Sequence, residues 1–161
     1  MSGGYQQLEI YQLALKLAAD IHQMTLTLPK IETYEEGSQI RRSSKSVAAN
    51  LVEGYGRRQY KNEFLKYGVY ASASCDETKA HLDMLHRTGS LDQDRYTQLY
   101  QQCCELGRKI YRFRQAVIAK HNQSVGDGIT ASAQTGRRIL EEDAVYLDPP
   151  MSNSPDSEPE S

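Results

Sequence analysis

No stretch of this chain approaches the roughly 18 consecutive apolar residues of a membrane span, so no segment reads as a transmembrane helix. Met1 to Gln7 lack a basic stretch leading into an apolar one. No secretory signal is read there, and the cytoplasm is the expected compartment. Cysteine is scarce, and its three positions, Cys75, Cys103 and Cys104, are an odd number with two adjacent. That pattern, with no C-x-x-C, argues against a secreted disulfide framework and a zinc site. Each cysteine falls in a helical pattern, where a thiol serves as a small apolar filler.

Signatures of chemistry are missing too. The chain has no G-x-S-x-G, Walker A loop, H-E-x-x-H or G-x-G-x-x-G. A di-iron bundle needs Glu-x-x-His on two helices plus two further glutamates, and the nearest match here is Asp83-x-x-His86. His22, His81, His86 and His121 read as boundary or surface residues. The expectation is a protein with no catalytic residues, no metal and no cofactor, and therefore not an enzyme. Alternating β patterns are absent as well, as are internal repeats.

What is present is helical periodicity. Tyr11, Ala14, Leu15, Ala18, Ile21 and Thr25 recur at three- and four-residue steps, with Ile10, Leu13, Leu17 and Met24 widening the stripe. Pro29 punctuates the end of this helix, over about 8–27. A second, over about 34–53, opens on the capping-box spelling Thr33-x-x-Glu36 and stops at Gly54 as a C′ glycine. Its Ser- and Ala-rich middle predicts a tight helix contact. The third and longest, about 60–87, carries Phe64, Tyr67, Ala71, Cys75, Thr78, Leu82 and Leu85 and ends at Gly89. The fourth, about 92–121, is capped by Ser90 or Asp92 and carries Tyr96, Leu99, Cys103, Leu106, Ile110, Phe113 and Val117. Short connections between long helices force antiparallel neighbours. The predicted fold is an all-α, up-down four-helix bundle over 8–121, after a flexible segment 1–7. Residues 122–161 read as an acidic, Pro/Ser-rich disordered tail, with Arg137 to Leu147 as a short helix or docking peptide.

Charge is unevenly distributed. Residues 1–121 hold 17 Lys+Arg against 13 Asp+Glu, whereas 122–161 hold 2 against 8. The formal net charge of −2 thus joins a mildly basic body to an acidic tail. Two runs concentrate the positive charge. Residues 41–61 contain Arg41, Arg42, Lys45, Arg57, Arg58 and Lys61 against the single acid Glu53, and 108–120 contain Arg108, Lys109, Arg112, Arg114 and Lys120 with no acid. Tyr55, Tyr60 and Tyr111 interleave. Cations with aromatics suit phosphate contact and base stacking, although solvated helix faces carry Lys and Arg in any case.

One element is more specific: Gln39-x-Arg41-Arg42, then Ser46-Val47-x-x-Asn50-Leu51-x-Glu53-Gly54-x-x-Arg57. It resembles the signature of the small four-helix-bundle family of 23S rRNA intervening sequences, approximately Q-x-R-R-A followed by S-I-x-x-N-I-x-E-G-x-x-R. Phe64-Leu65 and Ala71-x-Ala73-Ser74-x-x-Glu77 are similar to that family's third helix. The likeness spans residues 8–121. Ser43 stands where the family usually has Ala, Val47 and Leu51 replace Ile, and Ala73 replaces Gly. The resemblance implies a ring-like homopentamer and kinship with the accessory proteins of diversity-generating retroelements, which work with a reverse transcriptase and nucleic acid. Gln39, Asn50, Glu53 and Gly54 are its motif residues, and Asn50 and Glu53 read equally well as polar ties between helices. Two functions are expected from this. One is a homo-oligomeric accessory factor binding RNA or DNA through Arg41, Arg42, Lys45, Arg57, Arg58 and Lys61, with the acidic tail competing for the same patch. The other is a protein–protein scaffold without nucleic acid, in which those arginines pair with carboxylates.

Overall fold

The computed structural model describes residues 4–126, with side chains through residue 120. After a 3-10 turn at Tyr5–Gln7 come helices α1 (Glu9–Thr25), α2 (Lys30–Tyr34), α3 (Glu36–Gly56), α4 (Lys61–Arg87) and α5 (Gln93–Gly126). There is no strand among the described residues. The four long helices form the bundle and α2 is a single-turn link. The acidic tail expected from residue 122 lies outside the described residues from 127 onward, as does the segment Arg137 to Leu147.

Contacts across the helices fix the topology. Ser43 meets Thr78, Ser74 meets Ser46, and Gly54 faces Tyr67, so numbers rise on α3 while they fall on α4. Cys75 on Cys103 and Gly68 on Arg114 give the same sense for α4 and α5. Asp20 on Gln102 and Glu9 on Lys109 give it for α1 and α5. This is the predicted antiparallel, up-down order.

Apolar residues at helical spacing supply the interior. Leu17, Ile21, Met24, Ile40, Val47, Leu82, Leu85, Leu99, Leu106 and Ile110 are almost wholly buried. Each such side chain contributes about 1.5–3 kcal/mol relative to exposure. An exposed ion pair such as Lys16–Asp20 contributes about 0–1 kcal/mol at most, so the interior decides the fold. The stripe of α1 is rotated from the sequence reading, because Ile10, Leu17 and Met24 are buried while Leu15 is 42% exposed.

Between α3 and α4 the packing is different. Ser43, Ser44, Ala48 and Gly54 on one side, and Ala71, Ser72, Ser74 and Thr78 on the other, are buried and small. Their hydroxyls serve one another. Thr78 Oγ1 lies 2.9 Å from Ser43 Oγ and 2.8 Å from the Ser74 carbonyl, and Ser74 Oγ donates to Ser46 Oγ at 3.0 Å. A buried hydroxyl without a partner would cost about 1–3 kcal/mol, so the seam is close-packed because its polar atoms are paired.

Several element boundaries depart from expectation. Thr33 and Glu36 form no capping box, because Thr33 is already inside α2 and the residue before α3, Glu35, makes no side-chain cap. The Thr33 carbonyl instead accepts from Arg41 Nη2 at 3.0 Å. Gly54 does not stop its helix, since α3 runs on to Gly56, so the Gly54-Tyr55-Gly56 turn is helical and the expected end at 53 is three residues short. Gly54 is needed for proximity, as a Cβ there would sit 3.0 Å from Tyr67 Cβ. Gly89 does terminate α4, with φ of +74° and a Schellman pattern in which Ser90 N–H donates to the Leu85 carbonyl and Gly89 N–H to that of His86. Asp92 caps α5, its Oδ1 accepting from Arg95 N–H at 2.9 Å. α5, not α4, is the longest helix, at 34 residues against 27, and it runs through Gly107 without a break. Residues 5–7 form a 3-10 turn. Tyr5 packs edge-on to Tyr11 and Tyr55, at 4.9 and 6.3 Å between centroids.

Two glycines in helices should respond oppositely to alanine. Gly107 has open space where a Cβ would go, so Gly107→Ala should raise the unfolding free energy by about 0.5–1 kcal/mol. At Gly37 a Cβ would fall against the Glu32 backbone carbonyl, so Gly37→Ala should lower it by about 1–3 kcal/mol. Urea denaturation of the two variants checks both signs.

Candidate nucleic-acid interface

The six cations of the first basic run are not brought to one place. Arg41 is half-buried near the start of α3 and is tied to α2 through Thr33. Arg42 and Lys45 lie exposed on the outward face of α3. Arg57, Arg58 and Lys61 sit more than three helical turns away, where α3 ends and α4 begins.

Nor are they equivalent. Arg57 is bound to Glu53, through Nε at 2.8 Å and Nη2 at 2.7 Å, and lies 3.5 Å from Glu63. The Glu53 hydrogen bond, helped by the charge of Tyr67 and the two carboxylates, raises its pKa above the ordinary arginine value. Its charge is locally cancelled. Arg58 instead stacks over Tyr55 at 4.3 Å and donates to the Tyr55 carbonyl at 3.0 Å, leaving its charge without a carboxylate among the described residues. Lys61 is the first residue of α4, preceded by Tyr60, which provides no side-chain cap.

The antiparallel return of α5 carries the second basic run to this same end. Phe64 meets Phe113 edge-on at 5.7 Å, and the Arg114 stem crosses Gly68, where a Cβ would lie 2.8 Å from Arg114 Cδ. Arg114 is half-buried there, and its Nε has no hydrogen-bond partner among the described residues. Lys109 Nζ is held by Glu9 Oε1 at 2.7 Å, whereas Arg112 is exposed. One pole of the bundle therefore combines Arg58, Lys61, Lys109, Arg112 and Arg114 with Tyr55 and Tyr60. Neither run alone revealed this convergence, because it follows from chain reversal at residues 57–60 and 88–92.

Beneath that pole lies a void of about 10 Å³ lined by Leu51, Gly54, Phe64, Gly68, Ile110 and Arg114, among others. It has room for about one water and cannot hold a ligand, so this end offers a surface rather than a deep pocket.

The motif residues separate by role. Asn50 Nδ2 donates to the Ser46 carbonyl at 2.9 Å and lies 3.1 Å from Ser46 Oγ and 3.5 Å from Ser74 Oγ. Gly54 lies in the same seam. Glu53 is exposed and serves Arg57, and Gln39 is exposed. Asn50, Ser46, Gly54, Ala71 and Ser74 thus belong to the α3–α4 packing.

Elsewhere, titratable groups are engaged in closing the fold. Tyr96 Oη donates to Asp83 Oδ1 at 2.8 Å, and burial together with that bond pushes the phenol up to about 12. His86 stacks on Tyr96 at 4.5 Å, and its Nδ1 lies 3.2 Å from the Leu91 carbonyl. The Asp83-x-x-His86 pair is therefore part of the α4–α5 turn. Cys75 and Cys103 are buried, whereas Cys104 is only half-buried. The hydrogen bond with Cys75, reinforced by burial, raises the Cys103 thiol well above its ordinary range, as suits a neutral core group. Among the described residues no group of three or more His, Cys, Asp or Glu is arranged to hold a metal. Within the same residues no helix is long and apolar enough to cross a membrane.

Comparison with known proteins agrees with this architecture. Residues 6–112 match the family described as 23S rRNA-intervening sequence protein. Among solved structures, the chain is similar to a protein of unknown function from the S23 ribosomal protein family of Bacteroides thetaiotaomicron. The TM-score is 0.61 at 21% identity, over 66% of this chain and 95% of that one. At that identity the likeness speaks to the fold. No curated protein matches.

The division of the motif into seam and surface is measurable. Asn50→Ala should lower the unfolding free energy in urea by about 1–2 kcal/mol, through loss of its hydrogen bonds to Ser46 within α3 and its contact with Ser74 on α4. Glu53→Ala should leave the same curve unmoved.

Proposed function

We propose, from the premise that the chain belongs to the 23S rRNA-intervening sequence protein family, that it is a non-enzymatic, cytoplasmic accessory protein that binds RNA or DNA as a homo-oligomer. The observation that carries this reading is the convergence of two basic runs, distant in sequence, on one pole of the bundle. Phosphates would meet Arg58, Lys61 and Arg112 there, with Arg42 and Lys45 extending the contact along α3. The start of α4 supports the same reading. Its leading amide groups have no side-chain cap, and Glu63 in the first turn, which opposes part of the helix-end charge, is shared with Arg57 and Lys66. Arg57 and Arg41 drop to lesser roles, since their guanidinium groups are already engaged by Glu53 and Thr33.

Kinship with retroelement accessory proteins, and hence a reverse transcriptase as partner, follows from the family resemblance alone and belongs to this proposal. So does the pentamer. A specific observation favours self-association or docking to another protein beside nucleic-acid binding. Along the outward face of α4, Val69, Tyr70, Ala73, Ala80 and Met84 lie at helical spacing and are exposed, a largely apolar band interrupted by Glu77.

Binding to a labelled oligonucleotide should weaken steeply with salt. The combined change Arg42→Ala, Arg58→Ala and Lys61→Ala should reduce affinity and flatten the slope of log K against log salt by about 2–3 without lowering helicity. Affinity indifferent to salt between about 50 and 200 mM would refute the electrostatic reading. For the assembly, Val69→Glu with Met84→Glu should reduce the mass measured by light scattering to that of a monomer. An unchanged mass would remove the α4 face from the interface.

A further inference from the structure

Beside the basic pole, the N-terminal end of α1 and the middle of α5 diverge to leave a cleft of about 380 Å³ lined by Leu8, Glu9, Ile10, Lys109, Arg112 and Phe113. That volume falls in the range of small-molecule sites, about 300–1,000 Å³. Its composition is unusual for a surface depression. Leu8, Ile10 and Phe113 present an apolar lining with one aromatic ring, and the rim carries two cations. Glu9 is the acid at the rim, and Lys109 neutralises it at 2.7 Å. Arg112 is exposed and has no ion pair among the described residues. An apolar recess with an aromatic wall and a net positive lip fits a flat, largely apolar ring that carries an anion on a short tether.

We infer that this cleft takes an unpaired nucleobase of a bound single strand, stacked against Phe113 and covered by Leu8 and Ile10, with its phosphate on Arg112. The inference rests on the nucleic-acid reading above and adds strand specificity to it. Base–aromatic stacking tolerates any base, so the expected selectivity is for single strand over duplex rather than for one sequence. A duplex keeps its bases stacked inward and reaches only the cations. Lys109, by pairing with Glu9, keeps that carboxylate from repelling the phosphate.

The test uses the full chain, with a mixed-sequence single-stranded oligonucleotide and its duplex of equal length, read by fluorescence anisotropy. A 2-aminopurine placed mid-strand reports on stacking. The wild type should bind the single strand about tenfold more tightly than the duplex and change the 2-aminopurine emission on binding. Phe113→Leu keeps an apolar side chain but removes the ring. It should abolish the preference and the emission change while leaving duplex affinity intact. Arg112→Gln should weaken both ligands. Should Phe113→Leu lower the melting temperature, Leu8→Ala at the half-buried lip gives the same comparison. Equal affinity for the two ligands, or a preference that survives both Phe113→Leu and Leu8→Ala, would overturn the inference and leave the broader nucleic-acid reading standing. Binding to neither ligand would overturn both.

Discussion

The close approach of α3 and α4 is the constraint on which the rest of the molecule depends. Two helices separated by leucines pack through interdigitating side chains. Here the contact is made by serine, alanine, glycine and threonine, so the backbones themselves come near. Such a seam tolerates no spare volume and no unpaired hydroxyl. Ser43 with Thr78 and Ser46 with Ser74 satisfy one another across it, and Asn50 adds a bond to Ser46 along α3. The apolar interior built by all four long helices supplies more free energy, yet it is less particular about geometry. Leucines can repack where a hydroxyl ladder cannot slide.

That seam also sets where charge appears on the surface. With α3 and α4 locked antiparallel through the short link at residues 57–60, Arg58 and Lys61 are confined to one end of the bundle. α5 then returns alongside α4, and the contacts of Phe113 with Phe64 and of Arg114 with Gly68 bring its own cations to the same end. Carboxylates sort these groups further. Arg57 is consumed by Glu53 and Glu63, whereas Arg58 rests on an aromatic ring and keeps its field. Proximity in sequence is therefore not proximity on this surface, since α5 brings Arg114 toward the end that holds Arg58 whereas Arg41 lies near the start of α3.

The helices themselves were legible because each carries a long stripe at a single period. The four-helix order followed from their short connections. Gly89 and Asp92 were legible as well, since a positive φ and an N-cap are local requirements. Thr33 and Gly54 misled for the opposite reason. Both have a respectable local role, and in both the tertiary approach took precedence, with Arg41 drawing on the Thr33 carbonyl and Tyr67 closing on Gly54. The cleft at Leu8 and Phe113 had no local signal. It lies between two segments far apart in the chain, and a periodic pattern does not encode how they meet. Of the element running from Gln39 to Arg57, Ser46, Asn50 and Gly54 belong to the seam between the two touching helices, while Gln39, Arg42, Glu53 and Arg57 lie on the surface.

Native-state amide hydrogen exchange tests the primacy of the seam most directly, because it ranks segments by the free energy needed to open them. The account predicts that amides of residues 43–51 in α3 and 71–78 in α4 exchange only through global unfolding, while those of α1 and the outer turns of α5 open at lower cost. Release of the α3–α4 amides in a partial opening that leaves α1 and α5 protected would contradict it.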